Sequence, residues 1–315
     1  MNLRRLEYFL TVVEEGSVSL AARRLNMTQP PLSQAIQALE REVGAELLLR
    51  LPRGVEPTLA GRLLAEQGKD LLRWSGRVED SVRRIGQGLE GRLRIACVPS
   101  ISWSLLPPLL KRFSVEAEGV EVLLSDPNPL QVLNRVADGG ADVGFIAPTD
   151  TVAVAAAYPA LVVEQLTEMP LGLVVPLDRG PVGGPVEAST YARDAWIIPE
   201  AVPGFPGLAE LAEELWRREG FRPARVQYVS TLQTALPLVA AGLGVGLMPT
   251  DLVRLFSSGV RAIEVAGGIA PLRPALIRSA QMRPSPALER FLAVVGGSFT
   301  TSGSSIPLGK EPHGQ

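Results

Sequence analysis

Residues 17–43, SVSLAARRLNMTQPPLSQAIQALEREV, restrict the fold more than any other stretch. Two short amphipathic runs are joined by a gap long enough only for a tight turn. Ser17 is placed to cap the first run by accepting a bond from a free backbone N–H. Val18, Ala21, Ala22 and Leu25 then recur at helical spacing. Asn26-Met27 supplies the turn, and Thr28 the cap of a second helix. Pro30 and Pro31 are tolerated in its first turn, where N–H groups lack intrahelical partners anyway. Leu32, Ile36, Leu39 and Val43 make its apolar stripe. Gln29, Ser33, Gln37 and Arg41 project from another face, with Gln34 beside them. Amides and hydroxyls can donate and accept at the edges of bases. An ordinary amphipathic pair with a solvated face would present Lys and Glu there. The small Ala21-Ala22 contact, the short turn and the neutral polar face together favour a helix-turn-helix whose second helix lies in a DNA groove.

Total charge adds nothing to that argument. The net charge is −2, and residues 1–60 hold seven Arg against seven Asp or Glu. Any nucleic-acid case rests on where the charges point. The single Cys and single His exclude more. Zinc sites need about four such ligands, and nucleophilic triads need a placed His. His313 lies in a Gly/Ser/Pro-rich tail. Cys97 alternates with Leu93 and Ile95 in a strand pattern, as a buried structural thiol does; a redox sensor would need exposure. Catalytic residues and metal ligands are therefore not expected. No apolar run approaches the ~20 residues of a membrane span. The start, MNLRRLEYFL, lacks the features of a signal peptide, so a cytoplasmic location is expected.

Ahead of the helix pair, Leu6, Phe9, Leu10 and Val13 predict a helix over residues 3–15 that completes a three-helix core. Residues 46–57, ELLLRLPRGVEP, read as a hairpin or wing bent at Pro52 and Gly54, with Arg50 and Arg53 flanking the bend. Two surface arginines on a loop would look the same in isolation. Thr58 caps a long helix reaching about residue 88. Leu64, Leu71, Val78 and Ile85 recur every seven residues, with Gly68, Ser75, Val82 and Leu89 at complementary positions. Such a seam suits a helix pair. A helix packed on its own domain would show a similar stripe, but this one links two domains and would otherwise expose it.

From residue 91 the period changes. Strand and helix patterns alternate as β-α-β-α-β through residue 147, which implies a parallel sheet covered by helices. More strands are expected near 161–166, 171–175, 195–198, 225–229, 244–248, 260–265 and 272–280. Helices follow Leu208, occupy 231–242 and close the fold at 286–295. In open parallel sheets ligands sit beyond the carboxyl ends of strands. Four segments meet that description: Ser100-Ile101-Ser102, the turn at Asn128, Pro203-Gly204-Phe205, and Ser230-Thr231. They suit a small carboxylate or polar solute, although any one Ser or Thr serves equally well as a simple helix cap. Trp103 or Phe205 would supply an apolar wall.

The first 60 residues resemble the DNA-binding domain of LysR-type transcriptional regulators. The matching words are Met1-Asn2-Leu3-Arg4, Phe9, Glu15-Gly16-Ser17, Ala21-Ala22-x-x-Leu25, Thr28-Gln29-Pro30-Pro31-Leu32-Ser33, Ile36, Leu39-Glu40, Gly44, Arg50-x-x-Arg53-Gly54 and Thr58-x-Ala60-Gly61. VAAGLGVGLMP at 239–249 matches the second-lobe pattern. Leu49, Leu51 and Glu56 depart from the wing, where polar or basic residues are usual.

The resemblance implies an α/β protein with three parts: an N-terminal winged helix-turn-helix over 1–58, a linker helix and hinge over 59–90, and a two-lobed effector domain like type 2 periplasmic binding proteins over 91–297. Lobe one takes 91–165 and 266–297, lobe two 166–265, and 298–315 is a disordered tail. DNA contacts fall to Thr28, Gln29, Pro30, Ser33, Gln34, Gln37, Arg41, Arg50 and Arg53. Effector contacts fall to Ser100, Ile101, Ser102, Asn128, Pro203, Gly204, Phe205, Ser230 and Thr231. Dimerisation falls to Leu64, Leu71, Val78, Val82 and Ile85. Implied partners are double-stranded DNA at a near-palindromic promoter site, a small-molecule effector, further copies of the chain as dimer or tetramer, and RNA polymerase. No cofactor or membrane is implied. A solute-binding protein would explain the lobes but leave residues 1–90 without a role; an enzyme lacks an evident catalytic set; a regulator whose cleft has lost its ligand would keep every motif.

Overall fold

The computed structural model describes residues 1–52, 54–179, 184–255 and 259–299. The chain divides into one unit from Met1 to Arg84 and another from Ile85 onward.

In the first unit, α1 (Leu3–Glu15) begins at Asn2, whose side chain accepts from the Arg4 and Arg5 N–H groups, and ends at left-handed Gly16. Helix α2 (Val18–Arg24) is capped by Ser17, which accepts from the Leu20 N–H at 3.4 Å. Helix α3 (Gln29–Val43) ends at left-handed Gly44. Leu6, Phe9, Leu10, Ala21, Ala22, Leu32, Ile36, Leu39 and Leu47 close the core. Three expectations need correction. Thr28 occupies the cap position of α3 but its side chain makes no capping bond. Val43 is exposed, because it lies in the last turn beyond the core. Val12 is fully buried while Val13 is only partly so.

The wing is an antiparallel hairpin of β1 (Leu48–Leu51) and β2 (Gly54–Pro57), pairing Leu48 with Pro57 and Leu51 with Gly54. Leu49 and Leu51 are exposed, so neither finds the packing partner their apolar side chains invite. Arg53 lies outside the described residues. Helix α4 (Leu59–Gly86) follows. Its expected seam divides. Leu64 and Leu71 pack against the core of their own unit, and a Cβ on Gly68 would come within 2.8 Å of Leu6 Cδ1. Gly68 thus admits Leu6, not a partner helix. Trp74, Val78, Val82 and Ile85 stay exposed.

The second unit opens with β3 (Glu90–Cys97), α5 (Pro99–Trp103), α6 (Leu106–Glu116), β4 (Gly119–Ser125), α7 (Pro129–Ala137) and β5 (Val143–Ile146). Strands β4, β3 and β5 lie adjacent and parallel, as the alternating pattern requires. Helix α8 (Thr151–Ala157) and β6 (Leu161–Gln165) come next. The chain then crosses over and builds β7 (Leu171–Pro176), β8 (Ala195–Pro199), α9 (Leu208–Arg218), β9 (Arg225–Val229), α10 (Leu232–Ala240), β10 (Gly246–Pro249), α11 (Thr250–Leu255) and β11 (Val260–Ile263). It returns through β12 (Ala275–Ser279) to α12 (Pro286–Phe299).

Strand β12 runs antiparallel to both β5 and β6, completing a five-stranded sheet in the order β4-β3-β5-β12-β6. The second lobe sets β10, β7 and β11 side by side, with β8 parallel to β9 and bridged to the β10 approach at Trp196–Val245. The two crossings meet at Met169–Leu272, antiparallel. In lobe one, Phe291 of α12 meets the edges of Phe113 and Phe145, with ring centroids 5.2 and 6.1 Å apart. In lobe two, Trp196 stacks edge-on against Trp216. Ser298 and Phe299, expected in the disordered tail, belong instead to α12, and Ser298 accepts from Arg112 at 2.6 Å. Residues 300–315, including His313, lie outside the described residues.

Candidate DNA interface and effector cleft

The polar face of α3 points outward. Gln29, Pro30, Gln34, Gln37 and Arg41 are exposed and Ser33 is half-buried, while Leu32, Ile36 and Leu39 anchor the opposite face. Ser19 of α2 donates to the Gln29 side-chain oxygen at 3.1 Å. That bond presets one rotamer, so less side-chain entropy is lost when the amide meets a base. Arg41 donates to the Gln37 carbonyl at 3.3 Å and lies along the helix. Thr28 is exposed, and with no capping bond its hydroxyl remains available.

Three contacts fix the wing beside this helix. The Glu40 carboxylate of α3 accepts the N–H groups of Leu47 and Leu48 at 2.9 and 3.3 Å. The Val55 N–H donates to the Gly16 carbonyl at 2.9 Å. The Thr58 hydroxyl donates to the Glu46 carbonyl at 2.8 Å and accepts from the Gly61 N–H at 2.9 Å. Arg50 stays exposed on β1. Sequence reasoning missed Ser19, Glu40 and the Gly16–Val55 contact. Each bond joins residues seven or more positions apart, and no local motif pairs them.

Several charges in this unit are already spent. Arg24 pairs with Glu14 at 3.2 Å and Glu15 at 3.0 Å, and Lys69 reaches Glu14 at 3.1 Å. The bond from Lys69 chiefly holds the Glu14 carboxyl below its usual range, against an opposing effect of desolvation. Glu42 is likewise held low by the terminal amine of Met1, 2.6 Å away.

In the second unit a cleft of about 680 Å³, counting its open mouth, is walled by Val98, Ala147, Phe205, Leu208 and Leu272. Ser100, Asn128, Ser230 and Thr231 line it, from segments after β3, β4 and β9. Of the expected contacts, these four and Phe205 converge. Ile101 does not: it turns fully into the core. Ser102 spends its hydroxyl on the Pro99 carbonyl at 3.0 Å and does not line the cleft. Pro203 and Gly204 stand outside the lining, on the exposed side of the turn that drives Phe205 inward. Trp103 packs against the core. Glu200 and Glu210 line the cleft and were not foreseen.

Cys97 is fully buried at the end of β3. Burial first, and then the charge of Asp126, pushes its thiol well above the ordinary range, so it stays protonated and unreactive at neutral pH. Among the described residues no group of three His, Cys, Asp or Glu is set to hold a metal, and no helix is long and apolar enough to cross a membrane.

The pattern of the bacterial regulatory helix-turn-helix protein, lysR family, matches residues 3–62. That of the LysR substrate binding domain matches residues 86–299. The HTH-type transcriptional regulator CatR of Pseudomonas putida is 30% identical over 299 residues, which is 94% of this chain and 98% of CatR. The HTH-type transcriptional regulator AlsR of Bacillus subtilis (strain 168) is 33% identical over 260 residues, 82% of this chain and 84% of AlsR. The crystal structure of CbnR, a LysR family transcriptional regulator, superposes with a TM-score of 0.81 at 26% identity, covering 94% of this chain and all of CbnR. Full-length CbnR complexed with its target DNA superposes with a TM-score of 0.79, also at 26% identity, over 95% of this chain and 99% of CbnR.

Proposed function

Because the chain belongs to the LysR family of transcriptional regulators, we propose that it reads its promoter site with the outward face of α3 and answers to a small molecule held in the cleft of its second unit. DNA binding and regulation of transcription come with the family. The base-reading assignment rests on one observation: Gln29, Ser33, Gln34 and Gln37 line a single face of α3, opposite the buried Leu32, Ile36 and Leu39. Amides in that position discriminate bases. Arg50, carried on a wing fixed to α3 through Glu40, takes phosphate or the minor groove, where guanidinium groups are favoured.

Self-association uses the exposed part of α4. Trp74, Val78, Val82 and Ile85 form an apolar strip that stays exposed among the described residues. A second copy pairing along it places two α3 helices about one or more turns of DNA apart. Leu64 and Leu71, expected in that seam, are largely engaged by their own core. An effector biases the two lobes only if it binds one arrangement better than another. RNA polymerase completes the set of partners.

Selection of fragments bound by the purified protein from its own genomic DNA tests this reading. Enrichment of near-palindromic sites, with half-sites ~10 base pairs or a multiple apart, supports it. No enrichment over random fragments, or a single lone half-site, overturns it.

A further inference from the structure

We infer that the effector carries no net negative charge: the cleft takes a small, largely apolar molecule with an ammonium or hydroxyl group set toward Glu200. This rests on the cleft being the effector site, and it replaces the carboxylate that the hydroxyl-rich segments suggested. Among the described residues no Lys, Arg or His lines the cavity, whereas two carboxylates do, those of Glu200 and Glu210. Arg273 follows the lining residue Leu272, yet it is not part of the wall.

The two carboxylates differ. Glu210 is committed, accepting the Gly207 N–H at 2.8 Å at the start of α9. Glu200 has its backbone fixed, its N–H donating to the Val229 carbonyl at 2.9 Å. The residue is exposed on the cavity lining, and its carboxylate has no hydrogen bond or ion pair among the described residues, so its charge is open to a ligand. A carboxylate offered to a mobile donor forms a charge-assisted bond, stronger than a neutral one.

Helix N-termini would ordinarily draw an anion. Here two of the helices opening on the cleft already carry a side-chain cap: Asn128 accepts from the Gln131 N–H at 2.9 Å and Thr231 from the Thr234 N–H at 3.4 Å. At α9 the Glu210 carboxylate stands in the first turn, where its charge opposes that of an anion. Asp126, near enough to act on Cys97, adds further negative charge at the same strand ends. The most buried hydroxyl of the lining is that of Ser100. That residue is 7% exposed, lines the cavity, and its hydroxyl has no hydrogen bond among the described residues. Its oxygen is reached from the cavity, since the side-chain atoms buried without a partner among the described residues belong to Trp216, Glu219 and Arg261, and a water or a ligand group can satisfy it. It can donate to or accept from a neutral group without demanding charge.

The test titrates the full-length protein at pH 7 with three probes of one shape: phenethylamine, 2-phenylethanol and phenylacetate. Calorimetry should give binding of the first two, with phenylacetate weaker by about tenfold or more, as expected for losing a charge-assisted bond and meeting a like charge. Glu200→Gln should close that gap by weakening the amine and strengthening the acid. Ser100→Phe, which fills the cavity, should abolish binding of every probe while the thermal melt stays cooperative. Phenylacetate as the tightest probe, or a Glu200→Gln variant that leaves the order unchanged, overturns the charge inference and leaves the cleft in place. Binding untouched by Ser100→Phe removes the cleft itself as the effector site. Silence from all three probes overturns the proposed ligand class.

Discussion

Replacing Gly54 by Ala separates a wing fixed by its backbone from one that merely hangs beside the domain. Gly54 sits at φ +123°, a conformation L side chains rarely adopt, and an added Cβ would lie 2.4 Å from the Gly16 carbonyl oxygen. The same oxygen accepts the Val55 N–H at 2.9 Å. Relief of the clash therefore pulls the hairpin away and breaks that bond. Backbone strain of about 1–3 kcal/mol plus a lost bond of about 1 kcal/mol gives a destabilisation of about 2–4 kcal/mol. Gly16→Ala is the control. Gly16 is also left-handed, at φ +59°, but a Cβ there meets open space, so only the conformational cost of about 1 kcal/mol applies. Urea unfolding of both variants, with hydrogen exchange at the Val55 amide, reads the difference. Gly54→Ala should have the lower midpoint and an unprotected Val55 amide. Equal midpoints within about 0.5 kcal/mol, the usual scatter of neutral substitutions, with Val55 still protected, refute the argument.

Three other outcomes are expected. Glutamate at Val78, Val82 and Ile85 should yield monomers in light scattering with an unchanged melting temperature, whereas Leu71→Glu should lower the melting temperature because Leu71 packs on its own core; a monomer from Leu71→Glu with full stability contradicts this division. Glu14 has its pKa lowered by Lys69, so its stabilising effect is present above the unfolded value of about 4.3 and is lost as pH falls through the lower folded value. The urea-midpoint gap between wild type and Glu14→Gln should thus shrink below about pH 4, and a gap constant down to pH 2.5 would count against the pair. Arg50→Ala should weaken specific and random DNA alike and reduce the salt slope of binding by about 1, a selective loss on one sequence being the contrary result.

The helices of the first unit were legible because their apolar residues recur at 3.6-residue spacing and each end carries a recognisable signal. Ser17 and Gly44 behave as such signals predict, yet Thr28 shows that a residue in the cap position need not make the bond. The α4 stripe exposes a harder limit. A periodic apolar face states that something covers it, not whose side chains do. Leu64 and Leu71 pack on the core of the same chain and Gly68 faces Leu6, while Val78 and Ile85 stay exposed.

In the second unit the β-α-β order followed from the switch in period, and the cleft from the rule about strand ends. Which residue of a short helix faces that cleft did not follow. In α5, Ser100 points to the cavity and Ile101, one position on, to the core. Helices α8 and α11 escaped notice because six or seven residues carry too few periods to register. The acidic lining at Glu200 was invisible for another reason: a lone Glu after a strand carries no motif.

The base-reading role of the α3 face is tested most directly by the affinity of Gln29→Ala for the selected site and for random duplex of equal length at one salt concentration. Removing an amide that reads a base should cost about 1–3 kcal/mol on the selected site and almost nothing on random DNA. Equal losses on both duplexes would mean that Gln29 touches only the backbone, and the recognition surface would have to lie elsewhere on the domain.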